Sequence, residues 1–157
     1  MYRIGFSKDI HKLVKGRKLI LAGINIPFIK GALAHSDGDV VMHAIAEAML
    51  GAAALGDLGK FYPTNDKKYL NAPSRIILSD ANKRIKKLGY KIVNIDVSVE
   101  IEKPKLAPYV NKMRSNLTKI LKIKLDQISI KANTNEGLCA TGKGEAVIAY
   151  AIVLLNK

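Results

Sequence analysis

Apolar and polar positions alternate most regularly where Ile95, Val97, Val99 and Ile101 interleave with Asp96, Ser98 and Glu100. That two-residue period predicts a strand with one buried face. Shorter apolar runs predict further strands over residues 2–6, 18–22, 128–132 and 146–155. Between them the period lengthens. The run DVVMHAIAEAMLGAAALGDLG is rich in helix formers and predicts a helix over residues 39–54, with Ser36 or Asp37 as its N-cap. Ile77, Ala81, Ile85 and Leu88 fall three and four apart, predicting a second helix over residues 74–88, and a third covers 108–121. Residues 27–37 read as a loop. Residues 56–71, with Gly56, Pro63, Asn65 and Asp66, read as a mobile segment that closes over a ligand. Strands separated by single helices predict an α/β, or α+β, sandwich: a mixed sheet with helices on one face.

At 157 residues and 48% hydrophobic content, the chain supports one core, and no repeat or linker divides it, so residues 1–157 are read as a single domain. The longest apolar run, residues 146–155, is about half of what a membrane span requires. Tyr2-Arg3-Ile4 leads directly into polar, ligand-type residues, which predicts no signal or transit peptide. A single cysteine, Cys139, allows no internal disulfide and suits a reducing cytoplasm. The formal net charge of +13 suggests nucleic acid at first sight, especially over residues 12–18 and 83–87. Only five of the 26 basic residues are arginine, aromatics are 6% and tryptophan is absent, which argues against base stacking and base-edge readout. The lysines read as a solvated surface that also attracts a polyanionic substrate.

The candidate chemistry lies in two segments, Asp9-Ile10-His11 and His35-Ser36-Asp37-Gly38-Asp39-Val40-Val41-Met42-His43, which hold all three histidines. A zinc-type ion takes imidazole nitrogen and carboxylate oxygen, and a catalytic site uses three protein ligands and one open position. In an extended segment Asp9 and His11 point to the same side. His43, inside a helix, is the third ligand, whereas His35 lies in a loop and is better placed to meet substrate. Glu47, four residues beyond His43, reads as a solvated or supporting charge ahead of a ligand. Gly137 to Lys143 fits the first seven positions of a phosphate-binding P-loop. The motif fails at Gly144, where serine or threonine is needed, and an apolar strand follows in place of a helix.

The His35–His43 run, followed by Leu50-Gly-Ala-Ala-Ala-Leu-Gly-Asp57-Leu-Gly59-Lys60, resembles the signature of the 2-C-methyl-D-erythritol 2,4-cyclodiphosphate synthases. Gly5-Phe6-Ser7-Lys8-Asp9-Ile10-His11, Lys103-Pro104-Lys105-Leu106-Ala107-Pro108 and the stretch from Lys131 to Glu145 fall in that family's order, so the resemblance spans the chain. It implies an intramolecular phosphoryl transfer. The 2-phosphate of 4-diphosphocytidyl-2-C-methyl-D-erythritol 2-phosphate attacks the β-phosphorus of the same molecule, and CMP leaves, in non-mevalonate isoprenoid precursor synthesis. It also implies a phosphorus-oxygen lyase of ferredoxin-like fold, assembled as a homotrimer with active sites between subunits. Membrane and nucleic acid are not expected as partners.

By the same resemblance Asp9, His11 and His43 hold zinc, and Glu136 holds magnesium or manganese. Thr134 contacts the diphosphate. Ile101, Lys105, Leu106, Ala107 and Ala132 form the cytidine pocket, with Asn133 and Lys143 also binding substrate. His35, Ser36, Asp57 and Gly59 surround the methylerythritol phosphate, and His35, Thr134 and Glu136 are the catalytic candidates. Four positions depart from the family pattern. Ser7 replaces a glycine, Asn133 a threonine, Lys143 an arginine and Ala140 a bulky aromatic. Lysine supplies a point charge where arginine gives bidentate phosphate recognition. A zinc-dependent phosphoesterase shares the metal site but uses water as nucleophile.

Overall fold

In the computed structural model, which describes residues 1–63 and 73–157, the first strand is far longer than the expected 2–6. Strand β1 (Tyr2–Lys15) pairs antiparallel with the last strand, β7 (Ala146–Asn156), from Tyr2↔Asn156 to Lys12↔Ala146. Its end pairs with β4 (Lys30–Ala32), which occupies part of the expected 27–37 loop. A small hairpin, β2 (Leu19–Leu21) and β3 (Ile24–Ile26), precedes it. Its two-residue turn holds Ala22 and Gly23 at φ of 51° and 75°, the doubly left-handed conformation that tight hairpins require.

Helix α1 (Val40–Ala52) follows, then the single turn α2 (Leu58–Phe61) and α3 (Ser74–Lys87). Strand β5 (Lys91–Glu100) starts before the alternating region, because a register shift between Ile92 and Asn94 breaks the period there. A 3-10 turn (Ala107–Tyr109), α4 (Val110–Leu121), β6 (Ile128–Asn133) and the one-turn α5 (Cys139–Gly142) complete the chain before β7.

The five-stranded sheet runs β4-β1-β7-β5-β6; β5 and β6 are parallel and the other neighbours antiparallel. A mixed sheet is therefore as expected, but the ferredoxin-like connectivity is not. That unit runs β-α-β-β-α-β. Here β5 reaches its parallel neighbour β6 through α4, as parallel pairs demand a crossover, and β7 then inserts between β1 and β5.

One face of the sheet carries the helices. Val147, Ala149, Ala151, Val153 and Leu155 of β7 and Ile95, Val97 and Val99 of β5 point into this core and are fully buried. Helix α1 lies very close to β1 because small residues line the contact. A Cβ on Gly5 would sit 1.9 Å from the Ala48 carbonyl oxygen and 2.8 Å from the Ala52 nitrogen. On the opposite face Ile4, Phe6, Ile10 and Ile152 remain 71%, 64%, 47% and 41% exposed.

The start of α1 is fixed by Asp39, not by the expected Ser36 or Asp37. Its buried carboxylate accepts N–H bonds from Val41 and Met42 at 3.1 Å and from the hairpin residues Ala22 and Gly23 at 2.9 and 2.6 Å. An N-cap satisfies amides the helix leaves free; this one also locks α1 to the β2–β3 turn. Among the described residues no helix is long and apolar enough to cross a membrane.

Candidate active site

Residues two apart on a strand share a face, so β1 turns both Asp9 and His11 toward the helices, where His43 meets them from α1. One donor atom from each lies within 4.8 Å of the others, and among the described residues these three form the cluster able to hold a metal. His43 Nδ1 is 3.1 Å and His11 Nε2 3.4 Å from Asp9 Oδ2. Ligand atoms around one tetrahedral ion at about 2.1 Å stand about 3.4 Å from each other, so the spacing suits a shared cation. The buried His11 Nε2 makes no hydrogen bond, as a nitrogen kept for a metal would. The donor set therefore fits a divalent ion.

Electrostatics point the same way. Burial alone would raise the Asp9 carboxyl, but the close His11 and His43 imidazoles outweigh it and hold Asp9 well below the usual carboxylate range. Burial opposes charge on His43, yet Asp9, Asp39 and Asp37 together raise it. Burial and the charges of Asp57 and Asp9 raise Glu47, which stays outside the converging trio.

The far side of His43 was not foreseen from sequence. His43 Nε2 lies 2.8 Å from Ser74 Oγ. Ser74 in turn gives its hydroxyl proton to Asp37 Oδ1, and its backbone N–H to Asp37 Oδ2 at 3.0 Å. Nothing in the local pattern joins positions this distant. Arg17, equally unforeseen, donates to the carbonyls of Ala32, Ala34 and Ser36 at 3.2, 3.3 and 3.1 Å, tying the loop before α1 to β4. This loop leaves His35 exposed and Ser36 buried, with Ser36 Oγ accepting the Gly38 N–H at 3.1 Å.

The expected loop over 56–71 contains a helical turn. Asp57 caps α2 by accepting the Lys60 N–H at 2.9 Å, and Gly59 lies exposed on that turn. The remainder of that loop, residues 64–71, lies outside the described residues.

A second concavity, of about 710 Å³, forms where β5 and β6 end. Ile101, Lys105, Leu106, Ala107, Ala132, Asn133 and Thr134 line it, together with Phe28, Glu102 and Val110 among others. Every residue expected to enclose a nucleoside thus falls on one cavity. Thr134 Oγ1 donates to Glu136 Oε1 at 3.4 Å in the exposed turn after β6. Lys143 closes α5 with its side chain exposed, and Ala140 is exposed too. The P-loop resemblance ends here as expected, since α5 is one turn and leads straight into β7.

Strand β6 is three strands away from β1, about 14 Å at the usual strand spacing. The structure does not bring Glu136, Thr134 and the cavity onto the Asp9–His11–His43 cluster of the same chain.

Comparison with known proteins adds four findings. The YgbB family model matches residues 2–156. A protein of Chloroherpeton thalassium named 2-C-methyl-D-erythritol 2,4-cyclodiphosphate synthase is 49% identical over 155 residues, covering 99% of both chains. A solved 2C-methyl-D-erythritol-2,4-cyclodiphosphate synthase, in a form described as CDP-bound, matches with TM-score 0.91 and 37% identity over 98% of this chain and 100% of the other. The bifunctional IspDF of Campylobacter jejuni matches with TM-score 0.95 and 37% identity over 99% of this chain, which spans 42% of that longer protein.

Proposed function

The chain belongs to the YgbB family, and from that membership we infer that it performs the cyclisation for which its relatives are named. It converts 4-diphosphocytidyl-2-C-methyl-D-erythritol 2-phosphate to 2-C-methyl-D-erythritol 2,4-cyclodiphosphate and CMP, a phosphorus-oxygen lyase reaction of the non-mevalonate route. The observation that carries this reading to the chain's own residues is the convergence of Asp9, His11 and His43 on one point.

The reaction joins a 2-phosphate oxygen to the β-phosphorus while the bond from that phosphorus to the bridging oxygen breaks, and CMP leaves with that oxygen. Such a transfer depends on in-line placement and charge neutralisation more than on covalent help. Zinc held by Asp9, His11 and His43, and magnesium or manganese held by Glu136, would supply Lewis-acid polarisation and charge neutralisation when bound.

The remaining work falls to side chains. Ile101, Lys105, Leu106, Ala107 and Ala132 enclose the cytidine in the 710 Å³ cavity, and the Thr134 hydroxyl on its rim contacts the diphosphate. His35, Ser36, Asp57 and Gly59 hold the methylerythritol phosphate near the metal cluster, and Asn133 and Lys143 extend the binding surface.

The distance between cluster and cavity supports a homotrimer, in which the cavity of one copy faces the cluster of the next. The apolar residues Ile4, Phe6, Ile10 and Ile152 on the open sheet face supply a surface that a further copy would cover. Residues 1–157 act as one domain in this arrangement, and a cytoplasmic setting suits the free Cys139.

The test is CMP release from two substrates, one with and one without the 2-phosphate. Release only from the 2-phosphate form marks intramolecular attack. Equal release from both would mean water is the nucleophile and the enzyme is a phosphoesterase.

A further inference from the structure

We propose that Ser74, buried at the first position of α3, is a positioning residue for the metal cluster: with Asp37 it fixes His43 in the tautomer whose Nδ1 faces Asp9 and His11. The assignment rests on reading Asp9, His11 and His43 as metal ligands.

Proton bookkeeping makes the case. An ionised carboxylate only accepts. Both Asp37 oxygens are engaged by Ser74, one by its backbone N–H at 3.0 Å and the other by its hydroxyl. The hydroxyl has one proton and spends it on Asp37. Ser74 Oγ can then meet His43 Nε2, 2.8 Å away, only as an acceptor, so Nε2 carries the hydrogen. The Nδ1 lone pair is left for a cation beside Asp9 Oδ2, 3.1 Å off. A ligand histidine is commonly held in this way by an acceptor on its other nitrogen, which sets its ring orientation and raises its basicity.

The geometry also gives Ser74 reach beyond the metal. Asp37 sits between Ser36 and Gly38 in the loop that carries His35. One serine side chain therefore links the start of α3, the substrate-facing loop and a metal ligand. Full burial of Ser74 excludes water as a ready substitute for its hydroxyl.

The experiment measures zinc affinity of the full chain by competition with a chromophoric chelator, for wild type and Ser74→Ala, and reads the imidazole nitrogens of the zinc-loaded wild type by 15N NMR. We expect Ser74→Ala to weaken zinc about 10- to 100-fold, and the wild-type spectrum to show His43 protonated at Nε2 with metal at Nδ1. A serine that only anchors the loop would lower thermal stability and leave zinc affinity unchanged; that result overturns the assignment, as does a spectrum with the proton on Nδ1. Should Ser74→Ala not fold, the wild-type spectrum decides alone. If wild type itself takes up no zinc, the metal reading fails and the role of Ser74 falls with it; normal wild-type binding with an unaltered Ser74→Ala rejects the Ser74 role only.

Discussion

Asp9 on β1 and Ala132 on β6 stand in one cross-sheet row, with Ala149 and Val99 between them. The row separates the Asp9–His11–His43 cluster on β1 from the cavity beside β6, three strands away, in a single copy. The proposed homotrimer completes each site from two copies, and this is testable by mixing. In a trimer His43→Ala destroys the cluster and Glu136→Ala the cavity side. Each mixed trimer keeps one intact pair, so co-expression in equal amounts should restore about a quarter of wild-type turnover from two inactive parents. Purified mixed trimers with no activity would place the whole site within one subunit.

His43→Ala should lose zinc and turnover together, because one of three protein ligands disappears. Zinc content by atomic absorption, set beside CMP release, checks this. A variant retaining full zinc and full turnover removes His43 from the ligand set.

Glu136→Ala should keep its zinc and lose most of its turnover, since Glu136 lies outside the converging cluster. The paired readout is zinc content and the magnesium dependence of the rate. Normal turnover with an unchanged magnesium requirement would reject the second-ion role.

Gly5→Ala tests how closely α1 packs on β1. The new methyl would lie 1.9 Å from the Ala48 carbonyl oxygen, which is backbone and cannot rotate away. Helix and strand must separate, at a cost of about 2–3 kcal/mol. Thermal melting should fall by about 5–10 °C, and an unchanged midpoint would contradict this packing.

Cys139, the chain's single cysteine, should be alkylated at neutral pH. Hydrogen bonds from Thr141 and Asn135, then from the backbone of Gly142 and Thr141, lower its thiol to about 7. The thiolate fraction rises as pH passes through that value, so the iodoacetamide rate should be half-maximal near it, and Thr141→Val should move the midpoint upward. A midpoint at the usual free-thiol value of about 8.5 would show that these bonds do not form in solution.

The parts of the site that could be read from sequence are those carried by local periodicity. Asp9 and His11 are two apart, and a strand settles their common direction. His43 follows from helix-forming residues after Asp39. Apolar residues nevertheless mark the strand that carries the first two only as far as residue 6. Its inward face continues as Ser7, Asp9 and His11, polar residues that erase the apolar alternation. The bulge beside Val93 hid the start of β5 in a similar way.

The rest depends on contacts between distant segments. Asp39 caps α1 with help from a hairpin turn built on Ala22 and Gly23, and Ala-Gly lacks the usual asparagine or aspartate of such turns. Ser74 reaches Asp37 and His43 only after α3 has packed beside α1. The ferredoxin-like expectation failed on connectivity: β5, α4 and β6 precede β7, which returns between β1 and β5, a pairing of distant segments that no local pattern records.

The most direct measurement is phosphorus NMR of the purified protein incubated with 4-diphosphocytidyl-2-C-methyl-D-erythritol 2-phosphate and magnesium, with and without a chelator. The account predicts paired resonances of a cyclic diphosphate growing in step with CMP, abolished by the chelator and restored by zinc with magnesium. Inorganic phosphate or an open-chain product in their place would contradict it.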